Sequence, residues 1–470
     1  MKLATVILAA GLGTRMKSAL PKALHPVNGK PMLQHVIDSI KQLKAQNNIV
    51  VIGRNNDGVR NTLGDNPVAF AVQKEPKGTG DALKAAMQRL KGFDGTILIV
   101  SGDTPLVNPA TLRKLLKLHK KNREDISMIS FIAGGAHAYG RIIRDGQKVT
   151  AIVEDKDAGE EHKKINEVNS GIYALESHMT ALLKEIKVNK AKGEYYLTDI
   201  VGIAVGKGCR VGAHILGNET ELAGINTRAD LCKAGSYQRD RIVSKWMDSG
   251  VSFIDRASVF IHPEAEIGSD TVIYPNVHIE GRTVIGSGCV IYPNTRITGS
   301  VLGNNVTIKD STLIESSVVK DKAAIGPFAH IRPGSVIGAS AKIGNFVEIK
   351  KSLIGPGTKA SHLSYLGDAE VGENVNIGAG TITCNYDGRE KHKTLIEKDV
   401  FIGSDTQFVA PVRIGKGAYV GAGSTITRDV PPFALALSRT GQRHIEKWAL
   451  KKQMGNEKSE IKNKRRKSKK

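Results

Sequence analysis

The sequence predicts an α/β domain with a mostly parallel sheet, followed by an all-β β-helix built of hexapeptide repeats. Two observations carry this. Aliphatic residues recur every six positions in the second half, beginning with Ile261, Ile267, Ile273, Ile279, Ile285, Ile291 and Ile297, and several precede glycine, as in Ile267-Gly268. No helix has that period; a coil closed by three hexapeptides, with the aliphatic residue inside, does. A β-sandwich would instead alternate with period two. In residues 1 to about 226, by contrast, apolar strand-like runs alternate with helical patterns.

The first run, Leu3 to Ala10, is too short for a signal-peptide core and is followed by Gly11 and Arg15. It reads as the first buried strand. A helix from about Met32, a strand from Asn48 to Gly53, a helix from about Gly80 and a strand from Thr96 to Val100 follow. Ligands of such sheets bind at the carboxyl ends of the strands, and the motifs fall there. In LAAGLGTRMKSALPKAL, residues 8–24, Gly11 and Gly13 admit a phosphate to the backbone while Arg15 and Lys22 supply charge. Met16 stands where a dinucleotide fingerprint needs glycine, and no Gly-Lys-Ser/Thr of a P-loop is present. The stretch reads as a nucleotide-phosphate loop or as a plain strand-to-helix turn. Gln73 and KGTGDAL (77–83) form another glycine turn into a helix, and TILIVSGDTPL (96–106) ends a strand in Asp103, suited to a divalent metal or to a turn. AYGRI, IVE, VNSGIY and GIN follow at 138–142, 152–154, 168–173 and 224–226.

Together these motifs resemble the nucleotidyltransferase domain of the sugar-phosphate pyrophosphorylases, a Rossmann-like fold. The resemblance implies that Leu8, Ala9, Ala10, Gly11, Gln73, Gly78 and Thr79 contact uracil and ribose, with Ser101 nearby, where relatives often have an aromatic residue. Arg15 and Lys22 would grip the triphosphate, Gly140, Glu154 and Asn169 the sugar, and Asp103 with Asn226 magnesium. An anionic sugar phosphate attacking an α-phosphate needs positioning and charge rather than a protein base.

Residues 227–250 read as a helix ended by Gly250, linking a domain of residues 1–226 to one of residues 251–446. In the repeats, five-residue steps occur on arriving at Leu302, Val319, Ile354 and Val371, separated by three, six and three repeats. All four slips should therefore sit on one edge of the prism. Arg332 and Lys350, eighteen residues apart, should stack at one corner, either as a phosphate clamp or as solvated surface cations. His362 is a candidate general base or a mere surface residue.

RPG (332–334), GNFVEIKKS (344–352), HLSYLGDAEVGENVNIGAGTITCNYDG (362–388), GSDTQFVAPV (403–412) and SRTGQ (438–442) resemble the acetyltransferase half of the bacterial bifunctional N-acetylglucosamine-1-phosphate uridyltransferase/glucosamine-1-phosphate acetyltransferases. The resemblance implies a left-handed parallel β-helix in which Arg332, Lys350, Tyr365 and Asn376 bind the amino-sugar phosphate and His362 is the base. Ala379, Asn385, Tyr386, Ser404, Ala422 and Arg439 would contact acetyl-CoA. It also implies a homotrimer whose acetyl sites need more than one chain, with glucosamine 1-phosphate, N-acetylglucosamine 1-phosphate, UTP and acetyl-CoA as substrates. If the β-helix were instead only a trimerisation scaffold, the joint presence of these residues would be unexplained.

Four cysteines without CxxC or disulfide spacing indicate a reduced, cytoplasmic setting, and no stretch approaches the ~18 apolar residues of a membrane span. The formal charge is +22, of which a net +8 lies in residues 451–470. Residues 447–470 read as a basic, disordered tail. No nucleic-acid partner is expected, since nothing in the folded part supports one; the remaining charge suits phosphate-bearing ligands.

Overall fold

The computed structural model describes residues 2–467 apart from 55–56, 65, 135–137 and 190–192. The chain divides into two compact units, Met1–Val301 and Leu302–Lys470. The first contains the α/β sheet, a long helix and the opening coils of the β-helix. The second contains the later coils and the carboxyl-terminal segment.

The sheet of the first unit is built from β1 (Leu3–Leu8), β2 (Asn47–Gly53), β3 (Ala69–Gln73), β4 (Thr96–Ser101), β5 (Ile126–Ile132), the hairpin β6 (Arg141–Asp145) and β7 (Lys148–Val153), β8 (Glu167–Glu176) and β9 (Val211–Ile215), in the order β9-β5-β8-β4-β1-β2-β3. The pairs of β1 with β2 and β4, β2 with β3, and β5 with β9 are parallel. Only β8 on this path runs against its neighbours β4 and β5, so the sheet is mixed. Successive side chains of β1 enter two different cores: Ala4 and Val6 one, Leu3 and Ile7 the other. Helices cover both faces, which is why β1 reads as a nearly continuous apolar run. Helix α1 (Met32–Lys41) buries Leu33, Val36, Ile37 and Ile40 along one stripe. Helices α2 (Thr79–Met87) and α3 (Pro109–Asn122) follow β3 and β4.

The expected helix at 227–250 is α4, Arg228–Asp248. The Thr227 side chain accepts from the Asp230 backbone N–H, and the Asp230 carboxylate accepts from that of Thr227, a reciprocal capping box. Gly250 follows with φ 88°, the left-handed conformation that ends helices at little cost for glycine.

In both units the hexapeptide aliphatics are buried, including Ile273, Ile279 and Ile285 in the first and Ile308, Ile314 and Val319 in the second. Burying one such side chain contributes about 1.5–3 kcal/mol. In the second unit three parallel sheets form the faces, with Ile343, Ile349 and Ile354 starting one turn of the coil. Ala360 and Thr383 take the interior slots where the aliphatic period lapses, and both are buried. Leu302, Val319, Ile354 and Val371 all stand on strands of the same sheet. The shortened steps thus share one edge, which preserves the vertical register of the other two.

The carboxyl-terminal segment departs from expectation: Trp448–Lys467 is a helix, α5, rather than disordered chain. Its Ala, Leu, Lys, Gln and Glu residues are good helix formers and it lacks proline, a preference that charge counting alone overlooks. Among the described residues no helix is long and apolar enough to cross a membrane, and none of the four cysteines forms a disulfide.

Two candidate active sites

The first candidate site lies at the carboxyl ends of β1, β3 and β4, in a cavity of about 410 Å³. Its wall includes Leu8, Ala9, Ala10 and Gly11 from the loop after β1, Gln73, Gly78 and Thr79 from the turn into α2, and Ser101 and Asp103 after β4. Arg15, Lys22 and Asn226 complete the charged end. A Cβ at Gly11 would meet nothing within 4 Å, so the bare backbone opens the cavity to a ligand. Gly13 has another reason: its φ is 62°, and a Cβ there would lie 2.6 Å from that of Lys22, whose stem folds over it. Gln73 donates from Nε2 to Gly78 O at 3.0 Å and to Asp81 Oδ2 at 2.9 Å, tying the two turns together.

At the charged end, Ser101 Oγ donates to Asp103 Oδ1 at 2.7 Å. The Lys22 ammonium pairs with Asp103 Oδ2 and donates to Asn226 Oδ1 at 2.8 Å, which also accepts from Arg15 Nη2 at 2.8 Å. Oxygens of Asp103 and Asn226 therefore converge on one cation. Two hard oxygen donors at the cavity wall fit magnesium, which takes waters and ligand oxygens for its remaining positions. Among the described residues no group of three or more His, Cys, Asp or Glu forms a fuller metal cage.

Gly140, Glu154 and Asn169 gather outside the wall of this cavity. Asn169 N donates to Gly140 O at 2.8 Å, and a Cβ at Gly140 would lie 3.6 Å from Glu154 Oε2. Thr198 Oγ1 donates to Glu154 Oε1 at 2.9 Å, and Asn169 Nδ2 to the hydroxyl of Tyr173 at 2.6 Å. Burial, and then Glu154, push the Tyr173 hydroxyl far above its ordinary range, so it remains a neutral donor or acceptor.

Sequence reasoning missed Arg228. Its Nε donates to Met16 O at 3.2 Å and its Nη1 to His25 Nδ1 at 3.3 Å, holding the chain on both sides of Lys22. Burial, then Arg228, lower the His25 pKa, which keeps the imidazole a neutral acceptor for this bond. The only signal for Arg228 in the sequence was its place next to the cap of α4.

The second set of residues falls on two edges of the β-helix. His362 is in register with Asn345 one coil before it, and His362 Nδ1 donates to Asn345 Oδ1 at 2.5 Å. With the proton on Nδ1, the lone pair for a base stands on Nε2. Ala379, Ser404 and Ala422 continue along this edge: Asp405 N donates to Ala379 O at 2.7 Å, Gly423 N to Ser404 O at 2.8 Å, and Arg439 Nη1 to Ala422 O at 2.8 Å. Asn376 stands on the strand that pairs with the one bearing His362.

The other edge carries the cations. Ile331 pairs with Ile349, so Arg332 and Lys350 stand one above the other as their spacing requires. Arg332 Nη1 also pairs with Glu348 Oε1 at 2.8 Å. Lys391 was not anticipated: the loop of residues 385–393 leaves the coil, closes through a Tyr386–Lys391 bridge and sets Lys391 against Lys350. Lys391, and then Arg332, lower the Lys350 pKa. Asp387 buttresses the loop, accepting from the N–H groups of Arg389 and Glu390 at 2.8 and 2.7 Å and pairing with His392 Nε2 at 2.7 Å. A side chain at Gly367 would collide with the Tyr365 hydroxyl and the Asn385 amide, so these two groups converge beside Lys350, which pairs in register with Gly367. Asn385 Nδ2 donates to Asp368 Oδ2 at 2.5 Å, and the Tyr386 hydroxyl to Gly388 O at 2.8 Å.

Comparison with known proteins covers both halves. Residues 5–159 match the MobA-like NTP transferase domain, 246–349 the EIF2B subunit epsilon LbH domain, and 393–428 the six-repeat bacterial transferase hexapeptide. The chain is 55% identical over 448 residues to the bifunctional protein GlmU of Thermodesulfovibrio yellowstonii, covering 95% of this chain and 99% of that one. It is 50% identical to GlmU of Syntrophotalea carbinolica, covering 96% and 97% of the two chains, and 47% identical to that of Geotalea uraniireducens, covering 96% and 99%. An NTP transferase domain and a hexapeptide transferase domain thus lie in one chain, as a single alignment to each relative requires. The chain belongs to the family of bifunctional GlmU proteins.

Proposed function

We propose that this enzyme makes UDP-N-acetylglucosamine in two steps at separate sites. It first acetylates glucosamine 1-phosphate with acetyl-CoA, then transfers UMP from UTP to the resulting N-acetylglucosamine 1-phosphate, releasing pyrophosphate. Residues 1–226 are the uridylyltransferase domain, 227–250 a linking helix, 251–446 the acetyltransferase domain and 447–470 a basic carboxyl-terminal tail. The observation that carries the reading is the pairing, in one chain, of a cavity of about 410 Å³ bearing Arg15, Lys22 and Asp103 with a histidine whose Nδ1 is held by Asn345.

In the acetyl step, His362 Nε2 takes a proton from the sugar amine as its nitrogen attacks the thioester carbonyl. The C–S bond then breaks and coenzyme A leaves. Arg332, Lys350 and Lys391 hold the sugar phosphate, with Tyr365 and Asn376 orienting the ring. Acetyl-CoA lies along Ala379, Ser404, Ala422 and Arg439, with Asn385 and Tyr386 also in contact. Because base and phosphate cations occupy different edges of one prism, the working unit is a homotrimer in which edges of neighbouring chains face each other.

In the uridylyl step, a phosphate oxygen of the sugar attacks the α-phosphorus of UTP and the bond to the pyrophosphate oxygen breaks. Arg15 and Lys22 bind the triphosphate, Leu8 to Gly11, Gln73, Gly78 and Thr79 position the nucleoside, and Gly140, Glu154 and Asn169 the sugar. Asp103 and Asn226 would hold magnesium, which would supply neutralisation of the developing charge. The enzyme works in the cytoplasm.

The test is a mass-spectrometric assay with acetyl-CoA, glucosamine 1-phosphate, UTP and magnesium, omitting one component at a time. Accumulation of N-acetylglucosamine 1-phosphate without UTP, and of the nucleotide sugar with it, is expected. A nucleotide sugar formed only from ready-made N-acetylglucosamine 1-phosphate would reduce the β-helix to a scaffold.

A further inference from the structure

We propose that Lys22 and Arg15 occupy the metal's oxygens until nucleotide arrives, so that a divalent cation enters this site with a polyphosphate and not ahead of it. The inference rests on the reading of Asp103 and Asn226 as metal ligands. One ammonium, that of Lys22, bridges Asp103 Oδ2 and Asn226 Oδ1, and the Arg15 guanidinium donates to the same Asn226 oxygen. Both residues expected to grip the triphosphate are therefore engaged by the metal's own donors.

Charge balance explains why they stay there. The charged side chains lining the cavity are Arg15 and Lys22 against Asp103 and Glu194, a neutral set. A dication entering alone would add two positive charges next to two cations and would have to displace Lys22 from the carboxylate that neutralises it. A triphosphate reverses the balance: it carries the negative charge a metal needs and offers Lys22 and Arg15 charge-assisted hydrogen bonds in exchange for those they give up.

The geometry lets the ammonium move while the carboxylate stays. The Lys22 stem is seated on Gly13, where a Cβ would lie 2.6 Å from its own Cβ, so only the outer methylenes and ammonium need to swing. Asp103 is fixed by Ser101 Oγ at 2.7 Å, and Ile225 N donates to Asp103 O at 2.9 Å, fixing the backbone beside Asn226. The exchange is of cations about a stationary pair of oxygens.

The test measures Mn2+ binding to the full-length chain by the electron paramagnetic resonance signal of free Mn2+, without and with UTP. Wild type without UTP is expected to bind Mn2+ at least about tenfold more weakly than Lys22→Met or Lys22→Gln, a typical coupling factor between linked sites. Lys22→Arg, which keeps the charge, is expected to follow wild type. Adding Asp103→Asn to Lys22→Met should remove the gained site. Circular dichroism melts confirm that each variant compared is folded. If neither neutral variant binds Mn2+ better than wild type, while wild type with UTP shows an Asp103-dependent Mn2+ site, the occupancy by Lys22 has no such role. If no Asp103-dependent Mn2+ site exists even with UTP, the metal reading fails and the proposal falls with it.

Discussion

The two candidate sites keep their cations in opposite ways. In the α/β cavity Lys22 rests on Asp103 and Asn226, and Arg15 on Asn226. On the β-helix edge Lys350 and Lys391 crowd each other, with Asp368 a weaker counterweight to Lys350, while Arg332 pairs with Glu348. If Lys22 and Arg15 grip the triphosphate as proposed, the first arrangement is taken apart when nucleotide binds. In the second, on the role proposed for it, an incoming phosphate would relieve repulsion already present. The contrast follows from construction. Loops can bring an acid from β4 against a lysine distant in sequence, whereas a coil repeats like positions at the ~4.8 Å strand spacing and so stacks like charges.

The largest effects should separate the two sites. Asp103→Ala is expected to lower uridylyl transfer about a thousandfold and leave acetyl transfer unchanged, as befits loss of a charge-stabilising group. His362→Ala is expected to do the reverse, by about 10²- to 10⁴-fold. Separate assays of each half reaction decide this; a folded variant that loses both activities would end the view of independent sites.

A smaller effect sharpens the contrast in charge. Lys391→Gln should raise the KM for glucosamine 1-phosphate about ten- to a hundredfold, the range for a hydrogen bond to a charged group, with kcat changed far less. An unchanged KM would remove Lys391 from the site. The same pair sets a pH dependence. Lys391 and Arg332 hold the Lys350 pKa below its ordinary value in the free enzyme, and a bound phosphate raises it. The complex thus holds more proton than the free site, so affinity is full below the depressed pKa and falls as pH rises through it. In Lys391→Gln that fall should move to higher pH; binding isotherms across alkaline pH would show whether it does.

The smallest effect concerns the scaffold of the other site. Arg228→Lys should raise the KM for UTP by about threefold to tenfold, the worth of one hydrogen bond, because lysine can hold Met16 O or His25 but not both. Arg228→Met should lose more, and acetyl transfer should respond to neither. Equal loss of both activities would mark Arg228 as structural only.

Much of this was open to reading in the chain. The aliphatic period determined the coils, and the spacing of its four short steps even placed them on one face, because each hexapeptide folds against residues eighteen or seventeen positions away and register is counted directly in sequence. The Arg332–Lys350 stack followed for the same reason. The glycines and cations of residues 8–24 left two readings open, a phosphate loop and a plain strand-to-helix turn, and in the structure Gly11, Gly13, Arg15 and Lys22 line the cavity at the strand ends. The segment after Glu446 shows where charge counting fails: it predicts disorder, while the helix-forming side chains of Trp448–Lys467 give α5.

Tertiary structure decided what no spacing encodes. Arg228 reaches Met16 across 212 positions and His25 across 203, and Lys22 reaches Asn226 across 204. Such pairs exist only because the sheet and its helices pack in one arrangement, and nothing local in the chain records it. Lys391 is near Lys350 because an extra loop breaks the repeat, and the rule that fixes every other position in the β-helix stops where the repeat does. A periodic fold writes its geometry into the sequence one coil at a time; a layered α/β fold leaves the meeting of distant loops to the packing of its core.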